Sequence, residues 1–460
     1  MRKMKDSGVE WIGEIPEGWG VSKIKHTFNV SSGIQAPLEA DAYSSDRDPF
    51  LRVSDLVKNP NTNVEETRDG VPKNTYKKHP RGTIVFPKSG ESIRSGEVKI
   101  LGEECVVVGH LACLLFKENN NYGYWLIKAI NFEDDIQQTS LPSLGLSVIS
   151  KKPIPLPPLD TQTRIADFLD HETSLIDKER ALIKKKVALL KDKRKALIFE
   201  CVTGKYTVVE ADALAGSDAH DVIGRGALVA VPAPAKGQKG GLVDSGVEWI
   251  GEIPEGWGVA PVKDLFSLKG GGCDKKIIEG EEMVNLLNFT DVFNKKTLNN
   301  ELEYMRVSCK KEKIKDISVR KNDLLITPSS ETALEIGIVN RALEDIENCV
   351  FSYHILRLRK KNEGINCEYF NYYFDSSASR GQFLNKATGT TRVTLSRHDI
   401  NSNVLTIPPL ATQTRIADFL DHETALIDQE IALLEKKHAL LEKKRQALIF
   451  ECVTGKRDVP

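Results

Sequence analysis

The chain lacks the features of a membrane, secreted or disulfide-linked protein. Its 460 residues contain no apolar run of the roughly 18 residues that a membrane-spanning helix needs. The sequence starts MRKMKD, which has no apolar core for a secretory signal, so we expect a cytoplasmic protein without membrane association. The eight cysteines are scattered without a Cys-x-x-Cys pair, which argues against a zinc site and predicts reduced thiols.

An excess of charge of one sign is also missing. Lys and Arg number 64 against 65 Asp and Glu, which gives a net charge of −1. Many DNA-binding proteins are clearly basic, so the total charge of this chain does not indicate nucleic-acid binding. Only a local concentration of basic side chains would provide a surface for DNA here.

Motifs of common enzymes are absent as well. The Gly-Lys pair at 204–205 is followed by Tyr206, so no phosphate-binding GxxxxGK[ST] loop is formed. The His-Glu pairs at 171–172 and 422–423 are not followed by the second histidine of a zinc protease motif. No Asn-Pro-Pro-aromatic motif of amino-methyltransferases and no glycine-rich cofactor loop occurs. We therefore expect a non-catalytic chain with no cofactor or metal of its own.

What the chain does contain is a long internal repeat. The stretch DSGVEWIGEIPEGWGV occupies both 6–21 and 244–259 without change. The stretch PPLDTQTRIADFLDHETSLID at 157–177 recurs at 408–428 with two substitutions. The chain is therefore two copies of one plan: a Trp-rich segment, a variable body, a Pro-Pro pair and a long helix.

The two bodies, 22–156 and 260–407, differ far more than the segments that frame them. Both combine short β-rich runs near turn residues with short helical segments, as in a mixed α and β fold. A few residues still match between them: Asp55 with Asp291, Cys105-Val106 and His110 with Cys349-Val350 and His354, and Tyr124-Trp125 with Tyr369-Phe370. Shared residues in otherwise unlike sequences predict one fold that binds two different ligands.

A long helix is predicted after each Pro-Pro pair. From Thr161 to about Phe199 the chain has no Pro or Gly, and apolar residues recur every seven positions. The predicted helix-pairing residues are Leu169, Ile176, Ile183, Leu190 and Leu197 in the first copy, and Leu420, Ile427, Leu434, Leu441 and Leu448 in the second. An adjacent stripe of the same spacing starts at Phe168 and Phe419. Sustained heptads predict a coiled coil, either between these two helices or, as the alternative, between two molecules.

These patterns predict an α+β (mixed α/β) protein with two globular domains, joined by two long helices in a pseudo-two-fold antiparallel coiled coil. The predicted segments are 1–156 for the first domain with its Trp-rich segment, 157–205 for the central helix, 206–243 for a linker, 244–407 for the second domain and 408–460 for the C-terminal helix. The linker is rich in Ala, Gly and Val and is predicted to be flexible, with an ordered crossover as the alternative.

The combination of these segments resembles the specificity subunits of Type I restriction–modification enzymes. The resemblance covers nearly the whole chain, twice. It rests on WIGEIPEGW at 11–19 and 249–257, PPLDTQTRIADFLD at 157–170, PPLATQTRIADFLD at 408–421 and ATGTTRVTLSRHDI at 387–400. One departure is small: the family usually has an acidic residue before the Gln, where this chain has Thr161 and Thr412.

The resemblance implies a role in DNA recognition. Each body would be a target-recognition domain that reads one half of a split, asymmetric sequence in double-stranded DNA, and the helices would set the spacing. Modification subunits that methylate adenine with S-adenosylmethionine would dock on the helical frame, and restriction subunits that use ATP and Mg²⁺ would join them. Because the frame occurs twice, we expect two copies of the methyltransferase subunit. The alternative is a coiled-coil adaptor without intrinsic DNA specificity.

Loops that follow short strands are the candidate DNA-contact sites. Phosphates are bound by Arg, Lys, Ser and Thr, and base edges are read by side chains that approach them closely. The candidates in the first body are Lys88, Ser89, Ser92 and Arg94. The candidates in the second body are Ser329, Ser330, Thr390, Thr391, Arg392 and Arg397. An ordinary solvated loop is the alternative at each position.

Overall fold

The computed structural model divides the chain into two compact units. Residues 3–37, 40–58, 63–138, 140–211, 227–238, 240–294 and 297–460 are described. Unit 1 comprises residues 1–185 and 434–460, and unit 2 comprises residues 186–433. Each unit holds one body, one Trp-rich segment and one stretch of each long helix. This division differs from the chain-order segments expected above, because each long helix contributes to both units.

The first body is built on two β-sheets. The larger sheet contains, in spatial order, Phe28–Ser32, Leu111–Phe116, Ile84–Pro87, Lys99–Leu101 and Asn63–Val64. The smaller sheet contains Val106–Val107, Arg47–Leu51, Asp69–Pro72 and Asp41–Ala42. The Trp-rich segment and the ends of the body add two strand pairs, Met4–Asp6 with Glu14–Pro16 and Gly20–Lys23 with Pro153–Leu156. Apolar side chains of the two sheets share one core that includes Phe50, Val85, Val107 and Leu111.

The second body has the same order of strands, with one strand fewer in each of its two sheets among the described residues. Its larger sheet contains Phe266–Lys269, Leu356–Lys360, Leu324–Ile326 and Val339–Arg341 in that order. Its smaller sheet contains Met305–Cys309, Glu282–Leu287 and Cys349–Phe351. The remaining strand pairs are Leu242–Asp244 with Glu252–Pro254, Gly258–Pro261 with Val404–Ile407, and Ser329–Ser330 with Val393–Thr394. The prediction of one fold for both bodies is confirmed.

Short helices connect these strands in both bodies. In the first body they are Ile24–Thr27, Val53–Lys58, Asn120–Ala129 and Leu146–Lys151. In the second body they are Val262–Leu265, Phe289–Asn294, Lys311–Ile317, Cys367–Asp375, Ser377–Lys386 and Arg397–Asn401. The predicted match of Asp55 with Asp291 is confirmed: each carboxylate accepts a hydrogen bond at 2.9 Å from the backbone N–H three residues earlier.

A second predicted match between the bodies is wrong by two residues. Asn119 and Asn366 cap equivalent helices with their side chains. Counted from these caps, Tyr122 corresponds to Tyr369, so Tyr124 does not. The cap sets which side chains face the core because each residue turns the helix by about 100°. Short motif matches that ignore the cap therefore place the aromatic residues on the wrong face.

The two long helices are Leu159–Val202 and Leu410–Val453. Each follows a Pro-Pro pair, which cannot continue the preceding strand pairing. Each ends just before a glycine in the left-handed conformation, Gly204 at φ 74° and Gly455 at φ 73°. Glycine adopts this conformation without the steric cost of a Cβ atom, so it is a common helix terminator. The predicted helices thus exist, and each lies within its predicted segment, 157–205 or 408–460.

Within each unit the two helices run antiparallel. Ion pairs join residues early in one helix to residues late in the other. In unit 1 these pairs are Asp177–Arg445 at 3.2 Å, Glu179–Lys437 at 2.7 Å and Arg180–Glu442 at 2.6 Å. In unit 2 they are Lys186–Glu430 at 2.6 Å and Arg194–Asp428 at 3.4 Å. The antiparallel pairing predicted for the two helices is confirmed.

The heptad positions differ in burial. Seven of the ten predicted pairing residues are buried: Leu169, Ile176, Ile183, Leu420, Ile427, Leu441 and Leu448. Leu190, Leu197 and Leu434 are half-buried. Most of the adjacent stripe is exposed, because a residue one position before the seam points about 100° away from it. We call its six leucines, which are all exposed, the outer leucines: Leu175, Leu182, Leu189, Leu426, Leu433 and Leu440.

The segment predicted as a flexible linker, 206–243, has ordered ends. Tyr206–Glu210 pairs antiparallel with Leu228–Pro232 over five residues. Val208 is buried in the core of unit 2, and Leu228 packs against that core. Burial of these apolar side chains offsets the entropy of ordering the chain, so the prediction of flexibility is wrong for both strands. The middle of the segment, 212–226, lies outside the described residues.

All eight cysteines are unpaired and buried. Burial raises the pKa of the Cys201 thiol and of the Cys452 thiol to about 12 each. Both residues pack where the long helices end, as expected for small apolar core residues. In the described part of the chain, no helix is long and apolar enough to cross a membrane.

We predict that Tyr369→Phe destabilises unit 2 more than Tyr122→Phe destabilises unit 1. The buried Tyr369 hydroxyl lies 2.9 Å from the Val202 carbonyl oxygen and 2.8 Å from the Thr406 hydroxyl. The Tyr122 hydroxyl makes one longer hydrogen bond, 3.4 Å from the Pro155 carbonyl oxygen. Because Thr406 still donates to Val202, we expect a loss of only about 1 kcal/mol for Tyr369→Phe.

Hydrogen exchange of backbone amides measures this difference, because it reports the opening free energy of each unit separately. The matched variant, Tyr122→Phe, controls for the loss of a buried tyrosine hydroxyl as such. An equal loss of protection in both units would contradict the prediction.

Candidate nucleic-acid interface

In the first body, three segments meet where the strand Ile84–Pro87 ends. The Lys88 N–H donates to the His110 carbonyl at 2.9 Å, and the Leu144 N–H donates to the Lys88 carbonyl at 2.8 Å. The Ser89 hydroxyl lies 2.7 Å from Nδ1 of His110. These bonds hold the loop after the strand against the turn at His110 and against the segment before Leu144.

The predicted loop continues as a 3₁₀ turn, Glu91–Ser95. The Ser92 hydroxyl donates to the Ser89 carbonyl at 3.4 Å, so this candidate also stabilises the turn. The Arg94 side chain is half exposed, and its guanidinium donates to Oε1 of Gln138 at 2.8 Å. Arg94 therefore lies on an open surface with its position already set by a neighbouring loop.

In the second body, Ser329 and Ser330 lie behind the surface. They pair with Thr394 and Val393 across a two-stranded ladder, and their exposed fractions are only 9% and 3%. The Ser330 hydroxyl accepts a hydrogen bond from the Thr332 N–H at 3.2 Å. The two serines therefore support the adjacent hairpin rather than contact a base directly. The sequence pattern instead predicts them as DNA-contact residues.

The hairpin from Thr388 to Thr394 presents the exposed candidates Thr390, Thr391 and Arg392. Gly389 has a φ of 119°, and a Cβ atom there would lie 2.1 Å from the Arg392 carbonyl oxygen. Only glycine fits this tight turn. The hairpin therefore carries two hydroxyls and one guanidinium at a fixed place on the body.

Residues that sequence reasoning passed over complete this surface. Tyr353 is 52% exposed, and its ring centroid lies 3.9 Å from that of His354. Burial, Arg392 and Lys275 together lower the pKa of His354 below its ordinary value. The predicted candidate Arg397 lies in the same body, beside Gly270, where a Cβ atom would come within 2.6 Å of the guanidinium. The signal that could have identified His354 was its match with His110.

The glycine turns of the two bodies are equivalent. Gly33 and Gly272 both approach a carbonyl so closely that a Cβ atom would lie 2.1 Å from Val107 O in one and 2.2 Å from Phe351 O in the other. Each body thus brings a glycine turn, a histidine turn and a loop after the same strand to one surface. Exposed Arg, Lys, Ser and Thr donors of this kind can bind phosphate oxygens and base edges. Within the described ranges, no group of three or more His, Cys, Asp or Glu side chains is placed to hold a metal ion.

Two bodies of one topology, each with its own set of exposed donors, define a protein with two related recognition surfaces. A family model described as Type I restriction modification DNA specificity domain matches residues 16–187 and 254–443. The chain therefore belongs to this family, as its resemblance to the specificity subunits implied.

Known proteins are similar to parts or to the whole of this chain. The Type I restriction enzyme MjaIX specificity subunit of Methanocaldococcus jannaschii is 31% identical over 152 residues, which is 32% of this chain and 35% of that relative. The match thus spans about a third of the relative's length. A chain from a structure on complex assembly and conformational transition of the type I R-M system has a TM-score of 0.67 at 13% identity, over 96% of this chain and 99% of that chain. The HsdS subunit from Thermoanaerobacter tengcongensis has a TM-score of 0.49 at 14% identity, over 96% of this chain and 98% of that chain.

Proposed function

We propose that the protein is the DNA-recognition subunit of a Type I restriction–modification complex and reads a bipartite, asymmetric target in double-stranded DNA. One observation carries the proposal: the two bodies share a topology but present different residues at equivalent places on their surfaces. A shared topology supplies the same docking geometry twice, and unlike side chains select two different base sequences. The chain performs no chemistry itself.

The donors on the two surfaces fit this role. Arginine reads guanine through O6 and N7, and serine and threonine bind phosphates or either groove edge. The arginines that contact DNA in this way are Arg94 in the first body, and Arg392 and Arg397 in the second body. Because the whole chain is nearly neutral, affinity depends on these local groups and on basic surfaces of the partner subunits.

The partners follow from the same proposal. Two methyltransferase subunits carry S-adenosylmethionine and modify one adenine in each half-site. Restriction subunits, which use ATP and Mg²⁺, join the complex. The Trp-rich segment and the start of each long helix occur twice with hardly any change, so one kind of partner surface fits both copies.

The outer leucines are the proposed contact for the methyltransferase subunits. Their exposed fractions run from 47% for Leu426 to 68% for Leu433. Leucines at heptad spacing on the outside of a helix pair leave apolar surface in water, which a further apolar helix would cover. Unit 1 holds Leu175, Leu182 and Leu440, and unit 2 holds their repeat counterparts Leu426, Leu433 and Leu189.

Mapping of methylated adenines across a genome tests the proposal. We expect a motif of two short, unlike half-sites with an unspecified spacer when this chain is coexpressed with its methyltransferase partner. Omission of this chain should abolish the motif, since the partner alone has no sequence reader. A continuous palindromic motif would contradict two unlike readers.

The alternative is a coiled-coil adaptor without DNA specificity, and the exposed leucines are the feature that favours it. Binding to duplex DNA, with and without the methyltransferase partner, distinguishes the two. An adaptor would leave the complex with equal affinity for target and scrambled duplexes. A recognition subunit should favour its target by at least about a thousandfold.

A further inference from the structure

The first body contains a hairpin that has no sequence similarity to the Thr388–Thr394 hairpin of the second. Gln137 and Ser143 form a bridge that closes it, just as Thr388 and Thr394 close the other. We call these the first and second hairpins. Their sequences, QQTSLPS and TGTTRVT, share almost nothing, so alignment does not relate them.

Both hairpins attach to the same place in their bodies. Ser143 bridges to Ser89, and Thr394 pairs with Ser329. The residue that follows each hairpin is a buried leucine, Leu144 after the first and Leu395 after the second. Each of these leucines donates its N–H, at 2.8 Å, to the carbonyl of the residue just before the bridged serine.

The helices on the C-terminal side of the two hairpins are also equivalent. Gly145 precedes the helix Leu146–Lys151, and Ser396 precedes the helix Arg397–Asn401. The two hairpins therefore match in their closing bridges and in the number of residues between them, and Leu141 and Arg392 both lie two residues before the closing residue, Ser143 or Thr394.

We propose that the first hairpin is a specificity loop of the first body and that Leu141 and Gln138 select bases in the first half-site. This proposal rests on the proposed function and adds residues to it. Leu141 is 55% exposed, and Gln138 is also exposed. The contact between Gln138 and Arg94 joins this hairpin to the candidate DNA-contact loop after Ile84–Pro87.

Because the first hairpin has Leu141 where the second has Arg392, the two hairpins can recognise different bases. An arginine such as Arg392 donates to the acceptors of guanine or to a phosphate. A leucine has no polar group and instead contacts the methyl group of thymine in the major groove. We therefore assign Leu141 to a thymine in the first half-site.

The exposed side chains of the first hairpin are separable from its fold. The backbone holds it in place, through the bridges and through the Gly90 N–H, which donates to the Pro142 carbonyl at 2.8 Å. Replacement of Leu141 by Ala removes none of these bonds. A change in DNA selectivity in that variant would therefore come from the side chain.

The test uses the full chain in complex with its methyltransferase partner. Duplexes carry the target found by methylation mapping, with one base pair substituted at each position in turn. For Leu141→Ala we expect discrimination at one thymine position of the first half-site to fall by about fivefold or more. Discrimination throughout the second half-site stays as in the wild type, which also reports that the complex is folded.

Three further variants sharpen the result. Gln138→Ala is expected to relax a position at or next to the one that Leu141→Ala affects. Arg392→Ala, at the equivalent place, is expected to affect the second half-site alone. Leu159→Ala removes a leucine of similar exposure, 58%, outside both hairpins and is expected to change neither half.

Several outcomes would overturn the assignment. A Leu141→Ala profile identical to the wild type, a change in the second half-site, or a uniform loss of affinity across all duplexes would each do so. If the wild-type complex itself discriminates at no position in either half-site, the proposed function fails rather than the assignment of this hairpin.

Discussion

Exchange of the first body, 22–156, for that of another family member is expected to replace one half of the DNA target and leave the other half unchanged. The two chain ends of the body lie side by side, because Gly20–Lys23 pairs antiparallel with Pro153–Leu156. A replacement that keeps this strand pair can therefore be connected to the unchanged segments on both sides. The expected effect is large, since specific sites are bound about 10³- to 10⁷-fold more tightly than others.

The donor body should retain the contacts to the long helix. In this chain the Asn119 side chain donates to the Thr163 hydroxyl at 3.0 Å, and the Trp125 indole N–H donates to Asp170 at 2.8 Å. Genome-wide mapping of methylated adenines gives the result directly. Exchange of 260–407 is the matched control and should alter only the other half. If either exchange changed both half-sites, the two bodies would not be independent readers.

Charged residues in place of the outer leucines are expected to remove one methyltransferase subunit at a time. Leu175→Glu with Leu182→Glu alters unit 1, and Leu426→Glu with Leu433→Glu alters the repeat counterparts in unit 2. Burial of each leucine contributes roughly 1.5–3 kcal/mol, so loss of two should weaken docking by at least about a hundredfold. The mass of the purified complex should fall from two partners per chain to one in either double variant and to none in the quadruple variant.

These variants should leave the chain itself folded, because the leucines lie outside the helix seam. A polar but uncharged control, Leu175→Gln with Leu182→Gln, separates loss of apolar contact from charge repulsion and should weaken docking less. Retention of both partners in the quadruple variant would place the docking surface elsewhere. A wild-type complex with one partner at saturating concentration would refute the two-copy model.

Heptad spacing predicted the long helices well because it reports a local property. Proline-free and glycine-free stretches bounded by Pro-Pro and Gly form helices whatever their neighbours are. The pairing of the two helices with each other was also accessible, since the chain supplies two equal seams, and the long connection between them allowed the antiparallel direction. The predicted pairing residues were also the right stripe, since seven of the ten are buried, whereas the equal spacing of the adjacent stripe did not show that its leucines are exposed.

The repeat also predicted that the two bodies share one fold, and it matched Asp55 with Asp291 correctly. It failed where equivalence depends on position in space. The aromatic residues of the helices Asn120–Ala129 and Cys367–Asp375 were displaced by two positions, since their alignment is set by the capping asparagines. The strands at 206–210 and 228–232 were missed because these segments become ordered only by packing against a core that distant residues form.

The sequence by itself determined the two-copy plan, the long helices, the family resemblance and the loop after Ile84–Pro87 as a candidate site. These follow from periodicity, repetition and residue types along the chain. Tertiary structure alone decided that Ser329 and Ser330 are buried, that His354 and Arg392 share a surface, and that the first hairpin corresponds to the second. The reason is physical: backbone hydrogen bonds between strands fix the hairpins in equivalent places, and such bonds do not depend on the side chains that a sequence comparison reads.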